Sequence, residues 1–177
     1  SVSAINDLPL AGRWNDRLAL GLQAPRTTDE NCEITAVTPG YFRTLGIGQR
    51  VGRAFQASDE NLDHLVVVVD RDLAERYWPG SDPVGKVVWV GPYRHPGYVV
   101  GVVEAAHPTG LLTPAIPQAY IPISQEGLPW RTAYILVKSR GSDRVLLHTV
   151  EEEISGASAA TGVPVFVAKE IPISSLM

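Results

Sequence analysis

Gly80, Gly85 and Lys86 in "GSDPVGKV" stand at the GxxxxGK spacing of a phosphate-binding loop. Such a loop works when a strand feeds it and a helix leaves it, so that backbone amides face the phosphates and a Ser or Thr reaches Mg²⁺. Here the next position is Val87, and Pro83 removes one amide donor. The flanks are also reversed, with the helix formers "RDLAERYW" ahead and the β-branched run "KVVWV" behind. The order helix, turn, strand makes this segment a reversal of the chain.

Asp70 and Asp72 end the run "VVVVDRD" in the manner of a sugar-nucleotide transferase DxD pair. That chemistry needs a nucleotide-binding βαβ layer ahead of the motif, and residues 1–60 are too rich in loop formers to build one. As N-caps of the helix that follows, Asp70 or Asp72 would accept the orphan amides of its first turn, and Asp72 and Glu75 have capping-box spacing. His64, His95, His107 and His148 show neither HxxxH nor HExxH spacing, and Cys32 is the only cysteine. No GxSxG elbow serves Ser124, Ser139 or Ser142, which leaves only a triad assembled by the fold. Glu151, Glu152 and Glu153 fan across a helix face opposite Leu146, Val150 and Ile154, as a solvated face does.

The elements that carry these residues can be placed from periodicity and punctuation. A strand is expected over 2–8, then mostly loop through "LPLAGRWNDRLALGLQAPRTTDEN". "CEITAVT" alternates as a strand, and "PGYFRTLG" follows as a short helix with Thr38 as N-cap, Pro39 at the first helical position and Gly46 at its stop. "QRVGRAF" is extended and "QASDENLDH" is a polar linker. Strand 65–69, helix 71–78, the 79–86 turn and strands 86–90 and 98–104 come next. "AYIPI" reads as an edge strand because Pro122 cannot donate to a ladder. "TAYILVKS", the helix "DRVLLHTVEEEISGAS" and "VPVFVAKEI" make a final strand, helix, strand unit. Strands outnumber helices in mixed order, so the fold class is α+β.

With 177 residues, 45% of them hydrophobic, the chain is long enough to bury a real core. Its net charge of −4 and scattered basic residues give no electrostatic footprint for nucleic acid or anionic lipid. The longest apolar runs, "LVVVV" and "KVVWV", have strand length and fall short of the roughly 20 residues of a membrane helix. The opening "SVSAI" has neither Met nor a signal-like region, so the chain reads as an excised piece of a longer protein.

"VTPGYFRTLGI", "GRAF…SDEN", "VVVVDRDLAERYWPGSDPVGK", "VVGVV" and "PQAYIPI" occur in this order. In them the chain resembles the extracytoplasmic domain of MacB-like and FtsX-like ABC transporter permeases, from "LPLAG" to "GVPVFVAKEIPI". The most specific part is Tyr77 to Lys86. The motif residues carried over are Pro39, Gly40, Tyr41, Phe42, Gly46, Tyr77, Pro79, Gly80, Asp82, Pro83 and Gly85, all in structural roles.

The resemblance implies two lobes. Residues 1–60 and 118–177 would form a porter-like lobe of βαβ-type repeats, split in sequence and lacking its usual N-terminal helix. Residues 61–117 would form a smaller inserted α+β lobe, the sabre-like lobe. It also implies a non-enzymatic domain outside the cytoplasm, on the periplasmic face of the cell membrane, with no catalytic residue, cofactor or metal. Its task would be to couple ATP-driven motion of the membrane helices to export or release of a substrate. The partners would be the permease's own membrane helices, a second permease copy and a cytoplasmic ATPase, with room for a periplasmic adaptor and none for nucleic acid. The competing expectation is a module that captures a lipid, peptide or small molecule in an inter-lobe cleft lined by Trp14, Trp78, Trp89 or Trp130.

Overall fold

A computed structural model describes residues 1–5, 15–20, 30–61, 64–90, 95–105, 116–125, 134–138 and 143–161. It divides into two compact units, 1–137 and 138–177. In the first unit the strands are β1 (Val2–Ile5), β2 (Asn15–Leu20), β3 (Glu30–Val37), β4 (Gln49–Gly52), β5 (Leu65–Asp70), β6 (Val87–Val90), β7 (His95–Val103), β8 (Gln118–Pro122) and β9 (Tyr134–Val137). Helices α1 (Tyr41–Leu45) and α2 (Arg71–Tyr77) and two 3₁₀ turns, Ala57–Asn61 and Ile123–Gln125, lie between them. In the second unit the described element is α3 (Asp143–Thr161), where helical spacing predicts one. The strand expected of "VPVFVAKEI" lies outside the described residues. The α+β class expected from element order is the observed one.

All nine strands share one sheet, in the order β2-β6-β7-β5-β8-β3-β1-β9, with β4 attached to β7. Because β2 also pairs with β3, the six strands β2, β6, β7, β5, β8 and β3 close into a ring. The strand period of two then divides the side chains between an inner and an outer face. On the inner face Cys32, Ile34 and Ala36 of β3 meet Val67 and Val69, Val88 and Val90, Val99 and Val102, and Ala119 and Ile121 in one buried cluster. Helix α2 packs on this cluster through Leu73, with Ala74, Tyr77 and Trp78 partly buried. On the outer face Val37, Val66, Val68, Val103 and Tyr120 join Ile5 and Leu136 beneath Tyr41 and Phe42 of α1 and Phe55.

Two elements differ from the sequence reading. Residues 15–20, expected as loop, form β2, which pairs antiparallel with both β3 and β6. "AYIPI", expected at an edge, is the wholly buried β8, parallel to β3 and antiparallel to β5. Pro122 is tolerated there because the β5 partners of β8 end at Tyr120. Pro117 C=O serves β3, so N–H groups of even-numbered residues on β8 point the other way, and at Pro122 nothing on that side needs a donor.

Candidate functional site

The motif residues form two separate constructions, one at each face of the sheet. At the outer face the chain leaves β3 through a turn in which Tyr41 N–H donates to Thr38 C=O, and α1 begins. Gly40 occupies the N-cap position without a side-chain cap. Thr38, expected to cap, uses its hydroxyl to accept from Ala4 N–H of β1 at 2.8 Å, so it fastens the helix entry to the neighbouring strand. Pro39 precedes the helix by two residues. Gly46 ends it in the left-handed region at φ 76°, with Gly46 N–H donating to Arg43 C=O and Ile47 N–H to Phe42 C=O. The helix so framed turns Tyr41 and Phe42 inward, where Phe42 meets Tyr120 edge-on at 5.0 Å.

Where β5 ends, Asp70 caps α2, accepting from Leu73 N–H at 2.8 Å, and the helix lays Leu73 on the inner cluster. Tyr77 and Trp78 end the helix against the core, and Pro79 follows. Gly80 and Gly85 sit at φ 71° and 83°, Asp82 Oδ1 accepts from Val84 N–H, and Pro83 is buried. Four donors of this turn are spent: Ser81 N–H goes to Trp78, Val84 N–H to Asp82, Gly85 N–H to Val99 and Lys86 N–H to Pro83. Pro83 offers no N–H at all, and a strand follows where a phosphate loop needs a helix.

Two polar arrangements had no signal in the residue spacing. In the first, Arg53 makes a two-pronged ion pair with Asp59, which also accepts from Gln56 N–H at 2.8 Å. Burial alone would raise the Asp59 pKa, but the bonds from Arg53 and Gln56 N–H hold it below the usual carboxylate range. The second is a string on the outer face, where Glu33 accepts from Gln118 Nε2 at 3.2 Å and Gln118 Oε1 accepts from the Tyr120 hydroxyl. Burial pushes the Tyr120 phenol well above its usual range, with Tyr41, Asp70 and Glu33 adding to the effect.

No catalytic constellation emerges from these contacts. Among the described residues no group of three or more His, Cys, Asp and Glu could hold a metal ion. His148 pairs with Glu152 along α3. Of the tryptophans expected to line a cleft, Trp78 packs on the inner cluster and Trp89 is half-buried on β6, while Trp14 and Trp130 lie outside the described residues.

A profile of the MacB-like periplasmic core domain matches residues 9–157. The chain belongs to that family. The macrolide export ATP-binding/permease protein MacB of Neisseria gonorrhoeae is 32% identical over 79 residues, 45% of this chain. The probable syringafactin export ATP-binding/permease protein SyfD of Pseudomonas syringae pv. tomato is 33% identical over 80 residues. Each match spans 12% of the relative's own length. Among solved structures, the periplasmic region of MacB from Actinobacillus actinomycetemcomitans superposes with a TM-score of 0.61 at 19% identity, covering 90% of this chain and 67% of that one. The extracellular domain of the transporter YknZ from Gram-positive bacteria gives 0.52 at 16% identity, covering 82% and 79%. These structures share the MacB-like periplasmic core fold. The family is a transporter domain and not a known class of enzyme. Among the described residues no helix is long and apolar enough to cross a membrane.

Proposed function

We propose that this MacB-like periplasmic core domain is the extracytoplasmic lever of an ABC export permease, coupling ATP-driven movement of membrane helices to export or release of a substrate. Membership of the family carries the reading. The domain does no chemistry of its own, and ATP is hydrolysed by a module outside this chain. The motif residues Pro39 to Gly46 and Tyr77 to Gly85 serve as framework. Two permease copies act together, and a periplasmic adaptor can complete the assembly.

In this reading residues 1–60 and 118–177 form the porter-like lobe and 61–117 the inserted lobe. A lever has to be stiff where its parts join, and the contacts near both ends of the insertion favour that. Val68 and Val69 of β5 pair with Tyr120 and Ala119 of β8. Gln125 Nε2 donates to Asp59 C=O at 2.9 Å and to His64 C=O at 3.0 Å, while its Oε1 accepts from Val66 N–H at 3.1 Å. One side chain thus ties together residues on either side of the first crossing.

The test uses the full-length permease. A cysteine pair placed across the contact between the domains of two copies, once oxidised, should stop export while ATP binding persists. Export that continues unhindered through the lock would overturn the lever and favour simple capture of a ligand.

A further inference from the structure

Asp70 ends β5 at the centre of the sheet, 1% exposed. Among the described residues it forms no ion pair. Its Oδ1 accepts from Leu73 N–H of α2, and Gln118 N–H of β8 also donates to it, so one carboxyl joins the start of the helix to the neighbouring strand. The groups around it are mostly acidic or neutral. From α2 come Arg71 and Asp72, with Arg71 turned onto Asp72 at 3.0 Å and toward Glu104 at 3.7 Å. From β8 come Gln118 and Tyr120, with the Glu33 carboxylate of β3 and the Tyr41 phenol of α1 beyond them. The β7 partner in register is the apolar Val103.

We propose that Asp70 is a proton-sensitive latch, which holds α2 against the sheet while its carboxyl is protonated and releases that hold when it ionises. A carboxylate here gives up its water and gains no ion-pair partner among the described residues, and an opening of α2 that readmits water relieves this cost. Burial pushes the carboxyl up to about 7, with Asp72 adding to the rise while the Leu73 and Gln118 N–H groups and Arg71 hold it back. An opened α2 would expose the same carboxyl at its ordinary value of about 4. The ratio of closed to open forms therefore falls about tenfold per pH unit between those two values and levels off above the higher one. The latch does not depend on the transport reading.

Amide hydrogen exchange on the 177-residue chain between pH 5 and 8, corrected for the intrinsic pH dependence of exchange, reads this directly. Protection of the Leu73 and Gln118 amides should drop through the acidic side of neutrality and then level, while Ile47 N–H at the end of α1 stays flat. Asp70→Asn keeps an oxygen to accept from Leu73 but cannot ionise, so its profile should be level throughout. The carboxyl carbon resonance of Asp70 in the unaltered chain gives a measurement that needs no variant. A resonance midpoint near 4, or the same slope in Asp70→Asn as in the unaltered chain, would overturn the latch.

Discussion

The Arg53 guanidinium meets the Asp59 carboxylate with two hydrogen bonds, of 2.6 and 2.8 Å, where the loop after β4 turns into a 3₁₀ helix. Asp59 is 2% exposed while the arginine is 37% exposed, so the pair lies at the rim of the core with its negative end inside.

Removing the arginine strands that carboxylate. Arg53→Ala should cost about 1 to 3 kcal/mol in chemical denaturation, and Arg53→Lys should recover only part because an ammonium cannot make the fork. The native Asp59 value is depressed below the unfolded one, so the stabilisation is full above the ordinary carboxylate value near 4 and lost as pH falls through the native value. Arg53→Ala should therefore lose most of its deficit relative to the parent at strongly acid pH. A deficit that stays constant down to that range would show that packing, not charge, sets it.

Glycines at two positions should fail for different reasons. A Cβ on Gly101 would run into the carbonyl of Arg53, just past the paired strand β4, so Gly101→Ala should cost about 1 to 3 kcal/mol. At Gly85 there is open space and only the φ of 83° resists, so Gly85→Val should cost about 1 to 3 kcal/mol. Asn, which tolerates the left-handed region, should rescue Gly85 and not Gly101. Equal midpoints for Gly85→Asn and Gly85→Val would contradict this division.

Mg-ATP should leave the melting temperature of the chain unchanged, because the Ser81, Val84, Gly85 and Lys86 amides already have a backbone or Asp82 partner and a strand follows where a phosphate loop needs a helix. A saturable rise abolished by Lys86→Ala would mean that the turn opens to bind nucleotide.

The segment from Leu65 to Val90 was legible in the sequence because its signals are local. A valine run, an aspartate at the helix start and a turn of Gly, Asp and Pro each act on neighbours within a few residues. β2 was not legible, since "NDRLAL" has little pattern of its own and takes its strand form from β3 and from β6, about seventy positions further on. The same holds for Thr38, a good cap by type, whose hydroxyl is claimed by Ala4, 34 positions away. Pro122 marks an edge in most sheets, and here the edge is local, the stretch of β8 that β5 has already left. At the candidate site, Val87, Pro83 and the reversed flanks argued against the phosphate loop, but no spacing could pair Arg53 with Asp59. Those residues stand six apart across an irregular turn, with no helical or strand period to bring them together.

The closed ring also sets how the chain must fold. β3 and β8 run side by side although Glu33 and Gln118 are 85 positions apart, and the last gap is shut by β2 reaching β6. Contacts this remote repay their loop entropy only after the intervening chain has settled, which places the molecule among slow searchers of high contact order. The antiparallel neighbours β6 and β7 pair across a few residues at little loop entropy, whereas closing the ring joins β2 to β6 across about seventy positions. Once shut, none of the six ring strands offers a loose end from which unzipping could begin.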